Sequence, residues 1–427
     1  MLRRLHFRCF CLVLALAPLP FASNRAWAWT VLALLVGLLC LTWPLAVRGE
    51  KDVAPIPPAR FAVPGVLFGG ALLWGWVQTL SIVPESWHHP IWAQTASALG
   101  QPVEGRIALD PLAAESFLLR LLAYAGVFWL ACQHAASGRR AHALVDAGAA
   151  IGAVYAAYGL AVFLSGAETI LGYDKWAYQG FLTSTFVNRN HFAAFAGICA
   201  LCAAAAIARR AGGGWRLARG DAGFYLVTLC LILAAMPGTG SRAGLAATAA
   251  GFAAWLIWRA ETPVMRKAAL VGIVVAAIAA ALYVVFDWRD DSTLAGDVQA
   301  RWRIVEIAAA AVADRPWLGH GMGSFPDVAA AARTPVITQT WTEVHNVYLE
   351  LAVELGLPAA LAMLAAMGWC VAVCARARTS STAMVAFGVS VLVALHSIID
   401  FPTQMPAVAA IWAALLGAGC GRAWSRA

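Results

Sequence analysis

Long apolar runs separated by short polar connectors recur along the whole chain, and most are long enough to cross a bilayer. Twelve can be read, at about 9–22, 27–46, 61–83, 116–134, 143–165, 190–208, 222–236, 244–258, 268–286, 347–375, 382–399 and 405–420; the first and seventh are short. The expected fold is therefore all-α: a polytopic membrane helix bundle of about twelve transmembrane helices, forming a single integral membrane domain over 1–427. The one large polar interruption, 287–345, falls between the ninth and tenth spans. It holds "VQARWRIVEIAAAAVADRPWLG", an amphipathic helical pattern ended by Pro316 and Gly319, and then a glycine turn, "GHGMGSFP". Shorter loops on the same side, about 84–115 and 166–189, contain "PESWHHPIW" and lead into "FVNRNHFAAF".

Composition agrees with the pattern. Of 427 residues, 62% are hydrophobic and 12% charged, against roughly half and a quarter in soluble domains. A net charge of +8 raises nucleic acid as a partner, but the distribution argues against it. Basic residues fall in small groups in alternate loops: Arg3/Arg4/Arg8, Arg48/Lys51/Arg60, Arg139/Arg140, Arg209/Arg210/Arg216/Arg219, Arg259/Arg266/Lys267, Arg376/Arg378 and Arg422/Arg426. With twelve spans all these loops share one side, the positive-inside pattern, which places both termini in the cytoplasm and the 287–345 loop on the outer face. A basic start, a short apolar run and small residues also give the N-terminus the look of a signal peptide; an uncleaved first span is the reading taken here. All ten cysteines lie in or at the ends of apolar runs, so no disulfide framework is implied, and the CxxC-spaced Cys199 and Cys202 read as small core hydrophobes.

Candidate chemistry crowds the outer side. Arg242, in "PGTGSRAGLAA", sits where the charge rule expects few basic residues; it either snorkels or caps, or helps form an anion site with the helix N-terminus it opens. Arg301 and Arg303 begin the amphipathic helix of the large loop, and guanidinium groups bind phosphate oxygens bidentately without ever deprotonating. His345 precedes the tenth span in "HNVYLELAVELG": it caps the helix or serves as a general base at neutral pH. Asn346, Glu350 and Glu354 are spaced by four and so share a helix face; Glu354 is either a structural pairing or a direct catalytic group, and support for the site is the reading taken. "DWRDD" at 287–291 lacks accompanying His or Cys, so no metal is expected there. His396 and Asp400, one turn apart, read as a buried pair or a ligand-orienting one.

Taken together, "PLPFASNRAWAW", "FVNRNHFAAF", "GTGSRAGLAA", "RWRIVEIAAAAVADRPWLGHGMGSF" and "HNVYLELAVELGLPA", in this order and spacing, resemble the O-antigen ligase / O-antigen polymerase superfamily. The resemblance implies a bacterial inner-membrane glycosyltransferase with its active site facing the periplasm, working on a glycan carried by undecaprenyl diphosphate and needing neither metal nor other cofactor. It implies His345 as catalytic base and Arg242 and Arg301 as diphosphate ligands, with Arg303 the alternative register because the family's Trp position is occupied here by Val305. Asn346, Tyr348, Glu354, Asn188, Arg189 and Asn190 fall in the matching motifs as supporting residues. A ligase would pass the glycan to a lipid A-core sugar; a polymerase would pass it to another lipid-linked repeat unit. A protein oligosaccharyltransferase is a further alternative. A lipid-linked oligosaccharide flippase should instead carry charges along several spans near the midplane, and the crowding at the outer side disfavours it.

Overall fold

In a computed structural model, residues 2–48, 54–211, 221–260, 293–332 and 341–426 are described, and they form helices almost throughout. The order is α1 Leu2–Leu16, α2 Ala26–Val47, α3 Ala62–Val77, α4 Pro90–Leu99, α5 Pro111–Ala135, α6 Gly138–Leu164, α7 Arg189–Arg210, α8 Asp221–Gly238, α9 Arg242–Arg259, α10 Thr293–Asp314, α11 Phe325–Ala331, α12 Val347–Arg376, α13 Ser381–His396 and α14 Pro406–Trp424. A two-residue hairpin, Thr169–Ile170 against Tyr173–Asp174, closes the loop after α6.

This is an all-α membrane bundle. Among the described residues seven helices are long and apolar enough to cross a membrane, and two shorter ones are apolar, so the structure supports the class without fixing a count of twelve. Eleven of the expected spans coincide with a helix; the ninth, 268–286, lies outside the described residues. The first helix is shifted towards the N-terminus relative to the apolar run, ending at Leu16 ahead of Pro18 and Pro20, which have no N–H to continue it.

α7 is the central helix. Its run from His191 to Ala206 is buried, and Cys199 and Cys202 face Gly152 and Gly148 of α6 as free, buried thiols. Small residues let the other long helices approach closely as well: Gly417 and Gly421 of α14 lie directly on the backbone carbonyls of Phe128 and Cys132 in α5, with no room for a Cβ.

Two of the helices from the large loop do not stand apart from the bundle. Ile304, Ala308 and Ala311 of α10 pack with Phe325 and Ala329 of α11 onto Val344 and Val353. The glycine turn between them is stitched to α12: His320 N–H donates to Val353 O at 2.9 Å, Gly321 N–H to Glu354 O at 2.9 Å, and Leu357 N–H to Pro316 O at 2.7 Å. α12 is broken there. Gly356 has φ +76° and ψ 162°, two residues before Pro358, and a Cβ on it would lie 2.6 Å from Trp317 O. Only glycine permits both the backbone angle and the approach.

Candidate functional site

One end of the bundle gathers several helix termini. Asn188 caps α7, its side chain accepting the Asn190 N–H at 2.8 Å, and Ser241 caps α9 by accepting the Gly244 N–H at 3.1 Å. Gly244 rests on Ala193, so Arg242 opens α9 beside the first turn of α7. Asn346 caps α12 through the Leu349 N–H at 3.0 Å; it lies just outside the helix, so of the three residues expected on one face only Glu350 and Glu354 are helical. α13 ends at His396, and the turn that follows carries Asp400 and a short 3-10 turn, Pro402–Gln404.

Asp400 is wholly buried and surrounded by imidazoles. Its Oδ1 accepts the Phe401 N–H at 2.9 Å and lies 3.4 Å from His345 Nδ1 and 3.6 Å from His191 Nε2; Oδ2 is 4.0 Å from His396 Nε2. Burial pushes the Asp400 carboxyl up, but attraction to His191 and His345 outweighs it and holds the group well below the usual carboxylate range. The Phe401 ring stands edge-on between the two imidazoles, 4.6 Å from His191 and 4.9 Å from His345 between centroids, and Trp341 flanks His345 at 5.5 Å. His345 itself takes φ +58°, the left-handed region. Histidine enters that region more readily than most residues, though at a cost of order 1–3 kcal/mol. The backbone on either side is held: Val347 N–H donates to Ser397 O at 3.0 Å and Val344 N–H to Glu350 Oε2 at 3.1 Å. The imidazole thus turns Nδ1 towards Asp400 at 3.4 Å, a charge contact and not a hydrogen bond.

The arginines are placed differently from one another. Arg301 donates from Nη1 to Ile399 O at 3.0 Å, which puts it on the turn beside Asp400. Arg303 is about 200° further around the same helix, so the two do not address that turn together. Arg189 lies on the Phe181 ring at 3.8 Å, against Gly240 in the turn that precedes Arg242. The proposed supporting residues are largely structural in their bonds. Tyr348 donates its hydroxyl to Ala394 O at 2.7 Å, while Asn188 and Asn346 cap helices; Asn190 sits in the first turn of α7.

The glutamates belong to a neighbouring space. Glu350 accepts from Gln404 Nε2 at 2.6 Å as well as from Val344, so it braces the segment leading to His345. Burial, then the Glu350 charge, pushes the Glu343 carboxyl well above its usual range. Glu354 is buried as well, with the Gly323 and Phe325 N–H groups directed at its carboxylate, whose Oε1 has no hydrogen-bond partner among the described residues. Both Glu350 and Glu354, with Arg120, line the polar end of a mainly apolar cavity of about 290 Å³ enclosed by α3, α5, α12 and α14. "DWRDD" lies outside the described residues, and among the described ones no group of three or more His, Cys, Asp or Glu is arranged to hold a metal ion.

His345 is a candidate from sequence, whereas the residues that surround it are not. Asp400 was weighed only against His396, four residues away, whereas its nearer contacts are 55 and 209 residues distant in the chain. His191 sat inside a quoted motif, directly after the three residues that were named.

Residues 226–364 match the family described as O-Antigen ligase, which supports the likeness of this stretch to the O-antigen ligase and polymerase superfamily. The matched stretch contains Arg242, Arg301, Arg303, His345 and the glutamates, while His191 and Asp400 fall outside it. No curated protein matches the chain.

Proposed function

We propose that this membrane protein is a glycosyltransferase of the O-antigen ligase type, transferring a glycan from undecaprenyl diphosphate to a lipid A-core sugar. The observation that carries the mechanism is the His345–Asp400 contact at 3.4 Å, at the bundle end where arginine-bearing helix starts converge. The acceptor hydroxyl attacks the anomeric carbon, and its proton passes to the ring nitrogen of His345 that is not turned to Asp400. Asp400, ionised and buried, orients the ring and stabilises the imidazolium that forms. The bond from the anomeric carbon to the diphosphate oxygen breaks with its electron pair. Undecaprenyl diphosphate leaves with its charge held by Arg301 and Arg242, with Arg303 as a more distant guanidinium; charge stabilisation of this kind replaces a general acid. A single displacement inverts the anomeric centre. Apolar helix faces hold the polyprenyl tail in the bilayer.

A polymerase would use the same donor chemistry and differ only in its acceptor, a second lipid-linked repeat unit. Purified protein in detergent, given lipid-linked glycan and either lipid A-core or a second donor, separates the two by product. Transfer to lipid A-core, lost in H345A, is the expected result. Chain extension of the donor alone would assign the polymerase role, and full turnover by H345A would remove His345 from the chemistry.

A further inference from the structure

The helices whose starts and ends form the candidate site have their opposite ends around a second polar cavity, at the end where the charge pattern concentrates arginine. This cavity, about 630 Å³, lies between the start of α6, the ends of α7 and α9, the α12–α13 turn and the end of α14. That volume falls within the range of about 300–1,000 Å³ typical of small-molecule sites. Arg209, Arg259, Arg378, Arg422 and Arg426 line it, and among the described residues none of those lining it is a carboxylate. Arg209 is balanced by Asp146, which it shares with Arg210. Among the described residues the other four have no carboxylate partner. Arg259 reaches the Ala208 carbonyl at 3.4 Å, Arg422 the Ala136 carbonyl at 2.9 Å and Arg426 the Thr379 carbonyl at 3.0 Å, while Arg378 stacks on Trp258 at 4.3 Å.

Such bonds aim guanidinium groups without neutralising them. α13 also starts here: Ser380 caps it by accepting the Ala383 N–H at 3.3 Å, leaving the earlier first-turn N–H groups at the positive end of a 16-residue helix. The rest of the wall is amphipathic, with the buried Trp255 and the Trp258 ring set among the arginines at the level where the apolar helices end. A soluble anion would use the charge alone. A lipid headgroup would use both the charge and the indole-rich wall.

We propose that this cavity is a binding site for the phosphate headgroup of an anionic phospholipid, separate from the glycosyl-transfer site and independent of its assignment. Native mass spectrometry of the full-length protein in detergent tests it, with cardiolipin, phosphatidylglycerol, phosphatidylcholine and inorganic pyrophosphate as probes. The double variant R378A/R426A removes two exposed guanidinium groups that make no ion pair among the described residues, and the single variant R426Q provides a milder second reading. Retention of the anionic lipids over phosphatidylcholine is expected, reduced about 30-fold in the double variant at roughly tenfold for a little over one surface arginine, with an intermediate loss in R426Q. Undiminished lipid retention in both variants overturns the proposal. Pyrophosphate binding as tightly as the lipids, with no preference among the three lipids, overturns the lipid assignment in favour of a soluble anion.

Discussion

At one end of α7, α9, α12, α13 and α14, charge is closed into a network; at the other it is left open. Around Asp400 one buried carboxylate is met by three imidazoles and a backbone N–H, Arg301 of α10 donates to the Ile399 carbonyl beside it, and the aromatic ring of Phe401 stands between His191 and His345. Around the α12–α13 turn, four arginines rest on backbone carbonyls or an indole, and among the described residues no carboxylate pairs with them. A closed network costs least when it does chemistry on a neutral hydroxyl and must accept and return a proton. An open one is suited to a ligand that brings its own negative charge. The same helices therefore serve two kinds of electrostatics about 28 Å apart, the length of α14 at 1.5 Å per residue.

The contrast can be broken most directly by H345A, which should lower turnover by about 10²–10⁴-fold while R378A/R426A leaves it unchanged; equal losses in single-turnover assays would mean the two ends are not separable. D400N keeps the shape of the turn but removes the charge behind the base, and a loss of about 10–10²-fold in kcat with little change in acceptor KM is expected. If KM rose instead, Asp400 would be holding substrate rather than His345. R301K preserves charge but not the fork that reaches the Ile399 carbonyl and, in the proposed mechanism, a diphosphate oxygen, so about a tenfold rise in donor KM is expected. A wild-type KM would move the diphosphate contact elsewhere.

The smallest effect concerns acid. His89 Nε2 and His320 Nδ1 meet at 3.2 Å where the 84–109 loop joins the glycine turn. Burial, and then the Arg315 charge, pull His89 down to about 4, and burial lowers His320 as well. Because the folded state binds these protons less readily than the unfolded chain, the contribution is complete above about 6.5 and is lost as pH falls towards 4. Hydrogen exchange should show weaker protection of residues 105–109 at pH 4 than at pH 7, with the Asp400 turn unaffected. Equal protection at both pH values would show that the pair carries no strain.

Much of the fold was legible because a bilayer leaves few choices: long apolar runs become helices, and their ends follow proline, glycine and capping residues. α7, α9, α12 and α13 begin at Asn188, Ser241, Asn346 and Ser380, each a residue type that caps. The break at Gly356 was not legible, since "ELGLPA" reads equally well as a continuous span until the glycine turn is seen lying across it. The site was half legible. His345, Arg301 and Arg242 announce themselves as polar groups at the wrong place in apolar sequence. Asp400 and His191 do not, because their meaning comes from a contact between helix ends far apart in the chain, and helical periodicity carries no information about such contacts. Glu354 stood out in sequence for its depth, yet its carboxylate braces the glycine turn and the cavity behind it.

The left-handed backbone at His345 has an evolutionary consequence. Glycine would occupy that φ without strain, so selection for folding alone would favour glycine here, whereas the proposed mechanism requires the imidazole. Robustness and reactivity are thus in direct competition at a single codon. A variant library sorted only for thermostability should be enriched in H345G and depleted of turnover together.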